Sequence, residues 1–208
     1  MDSQAWDRLI ESGALAWPAE PNRFVMAELT YLAPGRALDL AAGAGRNAVW
    51  LALQGWQVTA VDFSAAGLDK GRSLAADQGV SVDWVHADVR TYQLAAQSFQ
   101  LVLVAYLHLP AADLDRLLRR AAAALAPGGV LLVVGHDLAN LTEGTGQPAN
   151  PDVLYTAKSV VRSLDGLVVQ RAGQVRRPAG DGEGRGEAVD TLVRAARSDS
   201  QGTRSSSI

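Results

Sequence analysis

The sequence has no cysteine and only two lysines, Lys70 and Lys158, among its 208 residues. Without cysteine there are no disulfides, no thiolate metal ligands and no thiol nucleophile, which fits a reducing, cytoplasmic setting. The formal net charge is −3, and no stretch interleaves clustered basic residues with aromatics, so the electrostatic footprint of a nucleic-acid binder is missing. No window approaches the roughly 20 apolar residues that span a bilayer, so no membrane partner is expected. Asp2, Asp7 and Glu11 stand in the first eleven positions, where a secretory signal would be basic and then apolar. No internal repeat is present. The scarcity of lysine beside arginine, with abundant alanine, reads as compositional bias.

What is present is ordinary globular composition, 48% hydrophobic and 20% charged, over a length suited to one domain. The domain is expected over residues 1–197, and SDSQGTRSSSI (198–208) reads as a disordered tail. Short apolar runs at 36–41, 57–62, 80–87, 99–106 and 129–136 alternate with helical patterns at 46–54, 64–78 and 111–126. This predicts an α/β fold, a doubly wound and mostly parallel sheet with helices on both faces. An N-terminal helix over 21–33 has Pro21 in its first turn and ends at Pro34-Gly35. Ser64 is an N-cap, and Pro127-Gly128-Gly129 stops the long helix. A loop rich in Gly, Pro and Asn spans 137–154, and a short helix is expected over 156–165. GLVVQRAGQVRR and EAVDTLVRAAR, joined by a Gly-rich link, form an antiparallel hairpin. The RRPAGDGEGRG run reads as a solvated hairpin tip.

The informative stretch is ALDLAAGAGRNAVWLA, residues 37–52. A strand ends near Asp39 and a helix begins near Arg46, so Gly43 and Gly45 lie at the carboxyl end of a parallel strand, where such sheets bind ligands. Two cofactor classes compete. Gly43 to Ala48 satisfies the G-x-G-x-x-G/A pattern of dinucleotide sites, with Asp62 as the later acid. Asp39 opposes that reading, because a carboxylate repels a pyrophosphate at this turn. It suits a ligand that carries a cation, such as a sulfonium or an ammonium group.

The same stretch resembles motif I of the class I S-adenosylmethionine-dependent methyltransferases, an acid followed by x-G-x-G-x-G, here Asp39-Leu40-Ala41-Ala42-Gly43-Ala44-Gly45. Ala41 occupies the first glycine position. VTAVDFS, VHADVRTY, FQLVLVAYLHLP and LAPGGVLLVVGHD resemble the later motifs, and Gly45-Arg46-Asn47 is similar to tellurite-resistance and thiopurine-type members. The resemblance covers roughly residues 20–197 and implies a seven-stranded sheet in the order 3-2-1-4-5-7-6. It implies S-adenosylmethionine as cofactor and a small-molecule methyl acceptor. The cofactor would be held by Asp39, Ala41, Gly43, Gly45, Asn47, Asp62 at its ribose, Phe63 near its adenine, Asp88 and Val89 at the adenine edge, and Ala105. Gln100 stands where the family often has an acid, a departure expected to weaken a contact.

Methyl transfer needs alignment and exclusion of water, and a base only when the acceptor must lose a proton. Tyr106 either faces the sulfonium or packs at a strand end. His108 is the first candidate base and His136, paired with Asp137, the second; Asp137 either orients a ring or caps a turn, and a capping or packing role is the alternative for His108. His86 is expected to be structural. Two His and a carboxylate are a known ligand set, but nothing in the spacing of His108, His136 and Asp137 compels one, and no metal is expected. Trp6, Trp17, Asn22 and Phe24, with Asn140 and Thr142 of the 137–154 loop, would cover the acceptor. The rivals are an NAD-dependent oxidoreductase, for which no Tyr-x-x-x-Lys pair exists, and a non-catalytic binder of the cofactor.

Overall fold

The computed structural model describes residues 3–12, 20–145, 148, 150–178 and 186–199. Trp17, most of the Gly-rich hairpin link and nearly all of the proposed tail lie outside the described residues. Period-two burial sets the architecture. In β1 (Arg36–Leu40), Leu38 and Leu40 face one way, while Ala37 and Asp39 face the other, and all four are buried. β2 (Gln57–Asp62), β3 (Asp83–His86), β4 (Phe99–Ala105) and β5 (Leu125–His136) join β1 in parallel. β6 (Leu167–Pro178) and β7 (Glu187–Arg197) pair antiparallel, and β7 also runs antiparallel to β5. The sheet order is β3-β2-β1-β4-β5-β7-β6, as expected.

Two apolar layers cover the sheet. One gathers Leu38, Leu40, Val102, Val104, Leu131 and Val133 under α5 (Ala111–Ala124) and α7 (Ala157–Val161). The other gathers Ala37, Ala60, Leu101, Leu103, Leu132 and Val134 under α2 (Arg23–Leu29) and α3 (Arg46–Leu53). α4 (Ala65–Asp77) is capped by Ser64, as predicted, and α1 (Ser3–Glu11) docks on it. Asp7 Oδ1 accepts the Ser64 hydroxyl at 2.5 Å and the Ala66 amide at 3.2 Å, a carboxylate placed at a helix N-terminus.

Several boundaries move for local reasons. α2 is shorter than predicted because Asn22 caps it, accepting from the amides of Phe24 and Val25. α7 is shorter too, opened by a capping box of Thr156 and Ser159. β5 starts at Leu125, so Pro127-Gly128-Gly129 is an irregularity inside the strand rather than a turn before it. The register with β4 shifts between Phe99 and Leu101 to take up these residues, and a Cβ on Gly129 would meet the Phe99 and Ala126 carbonyls at 2.8 Å. Gln100, where a weakened contact is expected, accepts the Arg36 amide on Oε1 at 2.8 Å.

Candidate active site

The glycine turn leaves β1 through two left-handed residues, Ala41 (φ 64°) and Gly43 (φ 56°), and enters α3 through a third, Gly45 (φ 74°). The glycines serve different ends. A Cβ on Gly45 would strike the Trp84 ring at 2.3 Å, so its smallness is required by packing. Gly43 faces open space, with nothing within 4 Å of such a Cβ. Ala41 amide donates to the Val61 carbonyl at 2.8 Å, which holds a strained L-residue in place.

Asp39 lies on the sheet face shared with α3 and is 1% exposed, and neither carboxylate oxygen has a hydrogen-bond partner. Burial, then the charge of Asp62, pushes its pKa up to about 7, against the pull of Arg46. Asp62 is also buried, but satisfied. Its Oδ2 accepts the Gly43 amide and its Oδ1 the Ser64 amide, each at 2.8 Å. Burial raises its pKa, and these backbone amides oppose the rise. Phe63 is half-buried, and its carbonyl lies 3.0 Å from His86 Nε2, which gives His86 a structural task. The Asp88 carboxylate is gripped by Arg90, whose Nε donates to Oδ1 at 3.0 Å and Oδ2 at 2.9 Å. Val89 is buried in the apolar layer under α5, and its carbonyl accepts from Arg120 at 3.2 Å.

Beyond β4 the chain turns at Tyr106, a second strained position (φ 55°). Its hydroxyl donates to Asp190 Oδ2 at 2.6 Å. The same hydroxyl accepts from Asn22 Nδ2 and from Arg177 Nε, each at 3.2 Å. Arg177 Nε also donates to Asp190 Oδ2 at 2.8 Å. His136 places Nδ1 3.2 Å from Asp190 Oδ1, packs edge-on to Tyr106 at 5.0 Å and stacks on His108 at 5.5 Å. Burial, with His136 alongside, lowers the pKa of His108 to about 4. Burial raises that of Tyr106. Burial also works against ionisation of Asp190, but His136, Tyr106 and Arg177 outweigh it and hold its pKa below the usual carboxylate value. The two halves of the site are tied together, since Asn47 at the start of α3 accepts the Asn22 amide at 2.9 Å.

Residues 37–129 match the family model of a methyltransferase domain. Over that span, from β1 into β5, the chain is similar to methyltransferase domains. It is 39% identical over 103 residues to a demethylmenaquinone methyltransferase of Clavibacter sepedonicus, a match covering 47% of this chain and 40% of the relative. It is 35% identical over 101 residues to a ubiquinone biosynthesis O-methyltransferase of Caulobacter sp. (strain K31), covering 47% and 39%. These matches therefore span about two fifths of the relatives' own length. The solved structure of TehB from Haemophilus influenzae shares the fold, with a TM-score of 0.72 at 13% identity over 85% of this chain and 62% of that one. A solved phosphoethanolamine N-methyltransferase 2 of Haemonchus contortus, with a TM-score of 0.64 at 16% identity over 85% of this chain and 52% of that one, is in complex with S-adenosyl-L-methionine.

Within this methyltransferase fold the motif residues Asp39, Ala41, Gly43, Gly45, Asp62, Phe63, Asp88, Val89 and Ala105 all fall in or just beyond the carboxyl ends of β1 to β4. Asn47 is the second residue of α3 and fastens the N-terminal segment. Asp137 does not orient His136. It takes the other expected task and caps the turn after β5, its Oδ1 accepting the Ala139 amide, with Gln174 and Thr191 as further donors. Asn140 and Thr142 bond within the loop or to β7, so both have structural tasks. Trp6 and Phe24 are half-buried. Among the described residues no group of three His, Asp or Glu side chains is arranged to hold a metal ion, and no helix is long and apolar enough to cross a membrane. The described end of the hairpin run is not all solvated, because Arg177 shares the inward face of β6 with Val175. Asp190 and Arg177 were missed by sequence reasoning. A lone acid inside the apolar EAVDTLV run was a signal for the first; nothing distinguishes Arg177 from Arg176 beside it.

Proposed function

We propose that this chain transfers a methyl group from S-adenosylmethionine to a small-molecule nucleophile. The observation that carries the reading is the Asp39 carboxylate, buried without a partner beside the open Gly43 turn. Such a group lacks a cation or a donor. The ammonium of the cofactor's amino-acid end meets that need, and the pyrophosphate of NAD does not.

The bound cofactor supplies an electrophilic methyl on a good leaving group. The glycine turn would receive its amino-acid end at Asp39, Ala41, Gly43 and Gly45. Asp62 would take the ribose hydroxyls, and its two amide bonds already hold it in one rotamer. Phe63, Asp88 and Val89 would border the adenine, and Ala105 the methyl. Residues 1–33 act in this reading as the cover of the acceptor side, anchored by Asp7 on α4 and by Asn22 on Tyr106 and Asn47. Tyr106, His108 and His136 border the acceptor. The names of the two curated relatives support an acceptor of small size. The small, acidic chain, without a basic surface run, fits the same reading and a cytoplasmic location.

The test is calorimetric titration with S-adenosylmethionine, S-adenosylhomocysteine and NAD. Micromolar binding of the first two and none of NAD is expected, with at least tenfold weaker binding in Asp62→Ala. Binding of NAD alone would overturn the reading.

A further inference from the structure

The candidate bases differ in what stands behind them. His108 Nε2 is buried with no partner, and no carboxylate is paired with its ring. His136 Nδ1 is buried with no aligned hydrogen bond, and so is Asp190 Oδ1, yet the two atoms lie 3.2 Å apart. Two orphaned polar atoms facing each other in a dry site are each other's natural partner, and a small ring rotation aligns them. Asp190 is 0% exposed, and its other oxygen is fixed by Tyr106 and Arg177. It therefore cannot turn away. His136 Nε2 is not sealed in the same manner and has no hydrogen bond among the described residues.

We propose that Asp190 is a positioning residue that holds His136 with its proton on Nδ1, leaving Nε2 as the base for an acceptor that carries an ionisable hydroxyl group. This deepens, and rests on, the methyl-transfer reading above. The hydroxyl proton passes to Nε2. The acceptor oxygen uses the freed pair to bond the methyl carbon, and the pair of the broken carbon–sulfur bond stays on sulfur. The imidazolium then returns its proton to solvent. The groups facing His136 agree with the assignment. His108 stacks on it as a neutral ring, because burial holds that ring's pKa near 4. Tyr106 meets it edge-on with its hydroxyl bound to Asp190, and Arg177 reaches it only through that carboxylate. A base of this kind contributes typically 10²–10⁴-fold to a proton-coupled step.

The first experiment needs no acceptor. Long-range proton–nitrogen correlation spectra of the full chain, labelled at histidine nitrogen and assigned with His136→Gln, report the tautomer of His136. At pH 8 the Nδ1–H form is expected, giving way to a mixture in Asp190→Asn. An Nε2–H form in the unaltered chain, or a tautomer indifferent to Asp190→Asn, overturns the proposal. The second experiment compares methyl transfer to 1-naphthol and catechol, which are neutral at pH 7, with transfer to thiophenol, which ionises readily and needs no base. Asp190→Asn is expected to lower kcat on the hydroxyl probes about 100-fold, leaving KM for the cofactor and the thiophenol rate within about threefold. Equal losses on both kinds of probe, or transfer to thiophenol alone by the unaltered chain, overturn it. Failure of the chain to bind S-adenosylmethionine would instead count against the methyl-transfer reading, and the tautomer result would still stand on its own.

Discussion

Two of the buried carboxylates, Asp39 and Asp190, are handled in opposite ways. Asp39, 1% exposed, has no hydrogen-bond partner, and burial pushes its pKa to about 7. Asp190, 0% exposed, accepts from Tyr106 and Arg177, has His136 at 3.2 Å and stays below its ordinary pKa. The same desolvation acts on both. The difference is that the chain itself fixes Asp190 through Oδ2 and sets His136 beside Oδ1, whereas neither oxygen of Asp39 has a partner from the chain. A carboxylate partnered in this way is a piece of architecture that keeps its charge. An unsaturated one stores an unfavourable interaction that a cationic ligand relieves.

The sharpest way to break this contrast is to remove the saturated acid. Asp190→Ala strands Arg177, His136 and Tyr106, and loss of one partner from a buried charged network costs about 3–5 kcal/mol. Chemical denaturation should show a loss of that order. Removal of the unsaturated acid should act in the other direction. The sign follows from linkage. Below the ordinary carboxyl value of 3.8, Asp39 is protonated folded or unfolded; between there and about 7 only the unfolded chain ionises, so stability falls as pH rises. Above about 7 the full cost remains. Asp39→Asn should therefore stabilise the ligand-free chain at pH 8 by on the order of 2–4 kcal/mol and have little effect near pH 4. The same variant should bind S-adenosylmethionine at least about tenfold more weakly, and in the unaltered chain calorimetry should show affinity falling below pH 7 with proton release on binding. The smallest effect concerns the backbone between these acids. Ala41 holds φ 64°, which disfavours an L-residue by about 1–2 kcal/mol. Ala41→Gly should raise the unfolding free energy, read by chemical denaturation, by up to about 1 kcal/mol, offset by glycine's greater freedom when unfolded.

The clustering of the proposed cofactor residues was legible because each of their groups is a short run. Asp39 to Gly45, Asp62-Phe63 and Asp88-Val89 each sit at a strand end, and parallel strands with right-handed crossovers carry such ends to one edge. The antiparallel finish followed from the Gly-rich joint between two apolar runs, and the strand order from the resemblance. The acceptor side was only half legible. Tyr106, His108 and His136 announce themselves as polar residues closing apolar strands. Their partners come from residue 22, 177 and 190, and no local pattern links these positions. Asp137 caps a turn rather than orienting His136 because side chains alternate along an extended chain, so adjacent residues face apart. Asp137 bonds Thr191, and His136 meets Asp190, the next residue of the antiparallel neighbour.

The sequence by itself determined the layered sheet, the glycine turn and the acid that stands before it, since these depend on periodicity and on local backbone chemistry. Only the tertiary structure decided which acid is left bare and which is saturated. That outcome depends on desolvation and on partners brought from distant strands. The long pairing of β6 with β7 placed Arg177 and Asp190 over Tyr106, and register across a sheet is fixed by the packing of whole faces rather than by any one residue.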